Sequence, residues 1–290
     1  MFPLSFSGTR WLEDQQVAER LIGIWSNLEA FVIKVNEKPV SKRPKCASYG
    51  ILQRAISTEN LTLAKLMFFT KFAKMMRPFL LKFQTTAPMS PFVDYELTKL
   101  LKSLMQEFVK ASKLGTSPTV QEMLAIDLDD PNNVVLCTKV GVGIATKEQL
   151  NKLELSEAKL REFMFQCLSC YKAIVMKIKE RMSQETVMLV GYLGSINPKY
   201  IYDHPNQTVL RFEKLIIYLI QHRIVASGEG DAILQQYKDL VTKVRSEKRK
   251  ESSKFSPSDT SRVDNFFTEL IGSDPEFKGL CYHDSYLTLV

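Results

Sequence analysis

A long stripe of apolar residues at helical spacing constrains the fold of this chain more than any other feature of its sequence. Apolar side chains recur every three or four positions, a period that places them on one face of an α-helix. The stripe consists of Leu160, Phe163, Met164, Cys167, Leu168, Tyr171, Ile174, Val175, Ile178 and Met182. Ser156 can cap free backbone N–H groups, and Glu157 is an acid that the helix dipole favours in the first turn. We therefore predict a helix from about Glu157 to Arg181.

The segment from Asn60 to Gln84 predicts a helix of a different kind, because its apolar residues surround almost the whole cylinder. Such a helix belongs inside a bundle. Pro78 has no backbone N–H and clashes with the preceding turn, which costs about 3 kcal/mol in a helix interior. We therefore expect a kink or break near Arg77.

Helical periodicity recurs over 14–35, 95–114, 209–221, 232–250 and 259–271. Extended structure is scarce. Two short β-branched runs, 134–137 and 140–144, are candidate strands, and residues 1–7 are a candidate edge strand. The predicted fold class is mainly α, a helical bundle with a few short strands.

Composition indicates a globular intracellular protein. The chain has 290 residues, of which 45% are hydrophobic and 24% are charged, enough to bury a sizeable core. Residues 1–7 lack the features of a secretory signal, and no stretch is apolar enough for a membrane span. The cysteines are odd in number and scattered, which favours reduced thiols over a disulfide framework. They are Cys46, Cys137, Cys167, Cys170 and Cys281.

Charge is distributed unevenly along the chain. The net charge is +7, but between Lys34 and Phe92 eleven basic residues stand against two acids, so that this segment alone carries +9. Four acids, between Glu122 and Asp130, occupy a stretch without basic residues. Such polarity favours a polyanionic partner, or pairing between the two parts of the chain itself.

Two groups of basic residues are candidate phosphate contacts. Lys42, Arg43 and Lys45 lie in a short, poorly helical segment. Lys71, Lys74, Arg77 and Lys82 fall on one arc of about 140° if 3.6 residues make a turn. The alternative for the second group is the solvated face of an otherwise buried helix. A basic run over 243–250 is either a nuclear-import patch or the end of a helix.

Motifs for catalysis or metal binding are weak. The cysteine pair Cys167 and Cys170 lies inside the long predicted helix, which favours a core role over a reactive or zinc-binding one. The run Gly141 to Gly143 lacks the third glycine of a dinucleotide loop and favours a structural turn. The acidic run 127–130 departs from the calcium-loop pattern and favours a solvated loop. We expect no cofactor, no metal and no small-molecule substrate.

One region carries a family resemblance. Gly8 to Leu12, followed by Arg20, Leu21, Ile24 and Trp25, resembles the Arg-Trp region of hAT-superfamily transposases and genes derived from them. The segments that follow agree with that family in their order. They are 66–84, 140–153, 163–181 and 262–267.

The resemblance implies an RNase H-like core interrupted by a large helical insertion after the Arg-Trp element. It divides the chain into 1–36, a remnant of the core; 37–258, an insertion-like domain; and 259–290, a helix leading toward a C-terminal region. In the family, two catalytic aspartates precede the Arg-Trp element, and here only eight residues precede Thr9. Glu269 does not match the context of the third acid. Two-metal phosphoryl chemistry needs converging carboxylates, so we expect no DNA cleavage.

The resemblance also implies a role for Trp11, since the family's tryptophan stacks on a base of a distorted DNA end. The alternative is that Trp11 is a core residue. The resulting hypothesis is a catalytically inactive, transposase-derived nuclear protein or fragment that binds DNA or protein partners, with no membrane partner. Its candidate nucleic-acid-binding residues are Arg10, Trp11, Lys42, Arg43, Lys45, Lys71, Lys74 and Arg77. The alternative is an unrelated intracellular α-helical scaffold for protein interactions.

Overall fold

The computed structural model of the chain describes residues 11–57, 60–246, 252, 254–256 and 261–272. These residues are mainly helical, which confirms the predicted fold class at the level of secondary structure. The helices are α1 (Trp11–Gly23), α2 (Trp25–Asn36), α3 (Ala47–Ile56), α4 (Thr62–Lys82), α5 (Val93–Met105), α6 (Ala111–Leu114), α7 (Val120–Ala125), α8 (Ile144–Lys152), α9 (Glu157–Arg181), α10 (Gln184–Leu193), α11 (Pro198–Asp203), α12 (Pro205–Gln221), α13 (Gly230–Ser246) and α14 (Val263–Gly272).

The chain divides into two compact units. The first unit falls within 1–78, 102–116 and 126–177, and the second within 79–101, 117–125 and 178–290. The domain boundaries expected after residues 36 and 258 stay predictions. The candidate edge strand 1–7 lies outside the described residues.

The long helix α9 confirms its sequence prediction. It runs from Glu157 to Arg181, and the Ser156 hydroxyl accepts the backbone N–H of Lys159 at 3.3 Å. The middle of the apolar stripe is buried, whereas Leu160 near its start is 38% exposed. Local spacing and a local cap were sufficient to define this helix.

A break in α4 near Arg77 is wrong, because the helix continues through Pro78 to Lys82. The alternative, a kink at this place, stays a prediction. The backbone N–H of Phe83 still bonds to the carbonyl of Phe79 at 3.3 Å. Proline removes only its own N–H from the helical pattern, so the turns on either side keep their hydrogen bonds.

The expected single helix over 95–114 is also wrong. Helix α5 ends at Met105, and α6 begins at Ala111. Between them Val109 forms an isolated antiparallel bridge with Val134. The N–H of Val135 bonds to the carbonyl of Phe108 at 2.8 Å, and the N–H of Lys110 bonds to the carbonyl of Asn133 at 2.9 Å. Hydrogen bonds to a distant segment of the same chain therefore replace the continuation of the helix.

The expected short strands do not form in the described part of the chain, apart from this bridge. Residues Cys137–Lys139 form a 3₁₀ turn, and α8 begins at Ile144. The predicted helix over 14–35 is two helices, which meet at Ile24.

The core of the second unit lies among α11, α12, α13 and α14. The rings of Phe212 and Tyr237 are stacked there. The Tyr237 hydroxyl donates to the carbonyl of Ser195 at 2.6 Å. Burial raises the pKa of Tyr237 well above its usual value, so the phenol stays protonated and keeps this bond.

A matched pair of substitutions tests this core. Leu240 is 2% exposed and Leu210 is 59% exposed. Leu240→Ala is expected to lower the free energy of unfolding by about 2–5 kcal/mol, because it removes buried methyl groups and leaves a cavity. Leu210→Ala, the control, is expected to change it by less than about 0.5 kcal/mol. Urea denaturation measures both, and equal effects would contradict the assigned core.

Candidate nucleic-acid interface

The first candidate basic group lies on a helical hairpin formed by α2, α3 and the connection between them. Val32, Val35 and Tyr49 form its small core, with Leu52 and Ile56 packed against them. The Tyr49 hydroxyl donates to Asn36 Oδ1 at 3.0 Å, at the end of α2. The hairpin therefore has its own apolar contacts and a polar tie at its turn.

Arg43 holds the connection in shape. Its Nε donates to the carbonyl of Lys38 at 2.9 Å, and its Nη2 donates to the carbonyl of Asn36 at 2.5 Å. The last carbonyls of a helix have no partner inside the helix, and a guanidinium is well suited to satisfy them. Arg43 is half-buried, and its guanidinium faces its own backbone.

Other cations of the hairpin are directed to solvent. They form the basic hairpin surface, which we define as Lys34, Lys38, Lys42, Lys45 and Arg54. All five are exposed, and within the described residues none of them forms an ion pair. Glu37 is the one acid within residues 34–54. The local potential is therefore strongly positive.

Apolar side chains are exposed on the same hairpin. Phe31 is 48% exposed, and its ring packs edge-on against Tyr49 at 6.3 Å between centroids. Ile33, Val40 and Ile51 are between 59% and 74% exposed. Exposed apolar residues mark a partner surface when they form a contiguous patch, whereas single exposed ones are normal.

Lys71 is engaged inside the first unit rather than directed to solvent. Its Nζ lies 2.6 Å from Glu107 Oε2, 2.7 Å from the carbonyl of Gly141 and 3.1 Å from the Tyr171 hydroxyl. The Tyr171 hydroxyl donates to the same Gly141 carbonyl at 3.0 Å. We call these four residues the Lys71 cluster. Its ammonium is neutralised and hydrogen-bonded by groups of this chain, so it has little capacity for an external phosphate.

The ring of Tyr171 is surrounded by other aromatic rings. Phe68, Phe72 and Phe108 lie 5.5, 5.7 and 6.0 Å from it between centroids. Burial, together with the nearby Glu107 carboxylate, raises the pKa of Tyr171 far above its usual value. The hydroxyl is therefore a permanent donor to Gly141 at any physiological pH.

The glycine run 141–143 has a structural role. A Cβ atom on Gly141 would lie 1.7 Å from Glu107 Oε2. Gly143 has a φ of +94°, which favours glycine, and it leads directly into α8. The close approach of Gly141 to Glu107 is part of the Lys71 cluster. It supports the structural-turn interpretation over a phosphate loop.

Lys74 and Arg77 differ from Lys71. Lys74 Nζ pairs with Glu19 at 3.0 Å, and its side chain is 60% exposed. The hydrogen bond from Lys74, together with one from Gln15, lowers the pKa of Glu19. Arg77 is half-buried, and its Nε has no hydrogen-bond partner among the described atoms.

The Arg-Trp element lies at the limit of the described residues. Arg10 is outside them, and Trp11 is the first residue of α1, with a side chain that is not described. The other tryptophan, Trp25, is buried, and its Nε1 donates to Glu29 Oε1 at 2.8 Å. The roles of Arg10 and Trp11 stay predictions.

The cysteine pair lies within α9, away from either end. Burial raises the pKa of Cys167 to about 12 and also raises the pKa of Cys170. Both thiols are therefore protonated at neutral pH, whereas a nucleophile or a metal ligand requires the thiolate. The described residues contain no group of three His, Cys, Asp or Glu side chains arranged to hold a metal ion.

The acidic loop 127–133 is organised by its own hydrogen bonds. Asp127 and Asp130 each accept a backbone N–H two residues ahead, and Lys172 pairs with Asp129 at 2.8 Å. Asx turns of this kind are common in solvated loops. This arrangement supports the solvated-loop interpretation.

No protein-family profile, curated protein or solved structure matches the chain. Among the described helices, none has the length and apolar character needed to cross a membrane.

The same substitution is expected to have opposite effects at two glycines of the first unit, one inside the Lys71 cluster and one outside it. Gly141→Ala is expected to lower the free energy of unfolding by about 1–3 kcal/mol, because the new methyl group displaces Glu107. Gly50→Ala, within α3, meets only an ordinary contact at 3.9 Å and is expected to raise it by about 0.5–1 kcal/mol. Chemical denaturation measures both, and a stabilised Gly141→Ala variant would contradict the cluster's structural role.

Proposed function

We propose that this chain is a catalytically inactive, transposase-derived helical protein that binds nucleic acid through the basic hairpin surface. The observation that carries the binding role is the exposure of Lys34, Lys38, Lys42, Lys45 and Arg54 in a stretch with a single acid. Ancestry is proposed from the Arg-Trp element and the order of the segments after it. A nuclear location is part of the same proposal.

Counterion release supplies the driving force for such binding. Each phosphate that a cation neutralises frees condensed counterions, and the binding constant falls as salt rises. If all five cations contact phosphates, the slope of log K against log salt is about −4.5 for duplex DNA. The half-exposed ring of Phe31 offers an additional stacking face for an unpaired base.

The candidate residues then have different roles. Lys42 and Lys45 contact phosphates, whereas Arg43 positions them by holding the connection between α2 and α3. Lys71 acts inside the first unit through Glu107, Gly141 and Tyr171. Lys74 and Arg77 remain candidates for a secondary contact, as do Arg10 and Trp11.

Charge reversal tests the binding role. Lys42→Glu with Lys45→Glu is expected to weaken binding to a fluorescently labelled DNA hairpin and to reduce the salt slope by about 1.8. Lys147→Glu with Lys152→Glu, exposed residues of α8, makes the same charge change elsewhere in the first unit and serves as the control. Fluorescence anisotropy over a salt series gives both quantities.

Two results would overturn this function. One is negligible binding of the unmodified protein even at low salt. The other is an equal loss of affinity in both double variants, since that would reflect net charge and not a surface. A binding defect that comes with a lower unfolding midpoint would be assigned to the fold.

A scaffold for protein interactions is the second candidate function. The observation that favours it is the exposure of Ile33, Val40 and Ile51, since aliphatic side chains do not stack on bases. Under this alternative, replacing Ile33 and Val40 by serine would remove the interaction while any residual DNA binding keeps its salt slope.

A further inference from the structure

A cleft in the second unit has the features of a ligand site that the sequence did not predict. Its volume is about 130 Å³, and aromatic rings form much of its lining. They belong to Phe92, Tyr95, Tyr200 and Phe255. Ligand sites are typically concave and mostly apolar, with a few convergent polar groups.

The aromatic rings of the lining are held in place by contacts with one another and with Arg211. Phe92 and Phe255 are stacked, with centroids 5.9 Å apart and planes within 11°. The Arg211 guanidinium lies 4.5 Å from the centroid of Tyr200, and Arg211 in turn pairs with Asp94 at 2.7 Å. The rings are therefore fixed in position, which reduces the entropy lost when a ligand binds.

A largely buried ion pair also lines the cleft. Lys82 Nζ lies 2.5 Å from Glu96 Oε1, and these side chains are only 28% and 8% exposed. Desolvating two charges is costly, and such a pair is a poor source of stability. An ammonium has three protons and a carboxylate about four acceptor positions, so the pair can present a donor and an acceptor side by side.

The charges around the cleft are balanced. Lys199 pairs with Asp203 at 2.8 Å, as Lys82 does with Glu96. Two cations and two anions give no preference for a phosphate or for an ammonium group. A neutral ligand fits this balance best, and the volume is close to the roughly 150 Å³ of a cavity known to hold one benzene ring.

From these features we propose that the second-unit cleft binds a nucleobase-like ring, a neutral planar heteroaromatic with a hydrogen-bond donor and acceptor on one edge. The faces of the ring contact the aromatic lining, and its edge pairs with Lys82 and Glu96. Such a ring occurs in a free nucleoside and in an unstacked base of a nucleic acid. The site is independent of the basic hairpin surface, so neither proposal depends on the other.

Nucleoside titration tests the cleft directly. Adenosine, guanosine, cytidine and uridine are titrated into the full chain and followed by ligand-observed NMR, with indole as a ring that lacks the acceptor. At least one nucleoside is expected to bind more tightly than indole. Tyr95→Ala is expected to weaken that binding about tenfold, because one stacking face is lost. Phe165→Ala removes an aromatic side chain that is 60% exposed in the first unit, and it is the matched control.

The polar edge has its own variant. Glu96→Gln keeps the shape but replaces two acceptors with one acceptor and one donor, so it is expected to change the order of preference among the four nucleosides. Thermal unfolding is measured alongside, because Glu96 is buried. Tyr95 is 45% exposed, so its variant keeps the test decisive if Glu96→Gln does not fold.

Three results would overturn the proposal. They are the absence of nucleoside binding, indole binding as tight as that of any nucleoside, and equal losses of affinity in Tyr95→Ala and Phe165→Ala.

A four-nucleotide single strand then identifies the source of the ring. Displacement of the nucleoside by the strand assigns the site to an unstacked base, and continued nucleoside binding assigns it to a free molecule; either result supports the cleft. Lys42→Glu with Lys45→Glu is expected to leave nucleoside binding unchanged.

Discussion

The packing of the first unit is organised around one ammonium group, that of Lys71. Lys71 projects from α4 among aromatic rings, where an unpaired charge would be costly to desolvate. Three oxygens meet it: the Glu107 carboxylate, the Gly141 carbonyl and the Tyr171 hydroxyl. They come from the segment after α5, from the glycine turn and from α9, so a single cation ties three distant segments to α4. The aromatic packing around Tyr171 and the conformation of residues 141–143 are both built around this arrangement.

A feature of the fold could be predicted when the residues that determine it lie close together in the sequence. Helix α9 was predicted with its ends because its stripe and its Ser156 cap are local. The interruption after Met105 was missed because Val109 is bridged to Val134 through hydrogen bonds of the residues beside them, and nothing within 95–114 signals that pairing. Apolar periodicity reports which face of a segment is buried, and it is silent about a competing partner far along the chain.

The candidate site likewise has residues whose exposure could be predicted and one whose role could not. Exposure of Lys42 and Lys45 could be expected from a short polar segment with proline, and the structure has both exposed. The role of Arg43 depends on the turn geometry, since its guanidinium reaches the carbonyls of Asn36 and Lys38. Neighbouring cations therefore have different roles. Only the path of the backbone distinguishes Arg43, which stabilises the connection, from Lys42 and Lys45, which are exposed on the surface.

The arc of basic residues on α4 shows why a charge pattern alone does not identify a binding face. Spacing placed Lys71, Lys74, Arg77 and Lys82 together, as one phosphate-binding face or one solvated face. Their surroundings are different: Lys71 is enclosed by three oxygens, Lys74 is a mostly exposed partner of Glu19, and Arg77 is half-buried. Lys82 meets a buried carboxylate at the wall of a cleft. An ammonium saturated by its own protein stabilises structure, whereas one with spare donors beside an open volume can bind a ligand. The number of oxygens around each nitrogen, which depends on residues far away in the sequence, decides between these two uses of the same side chain.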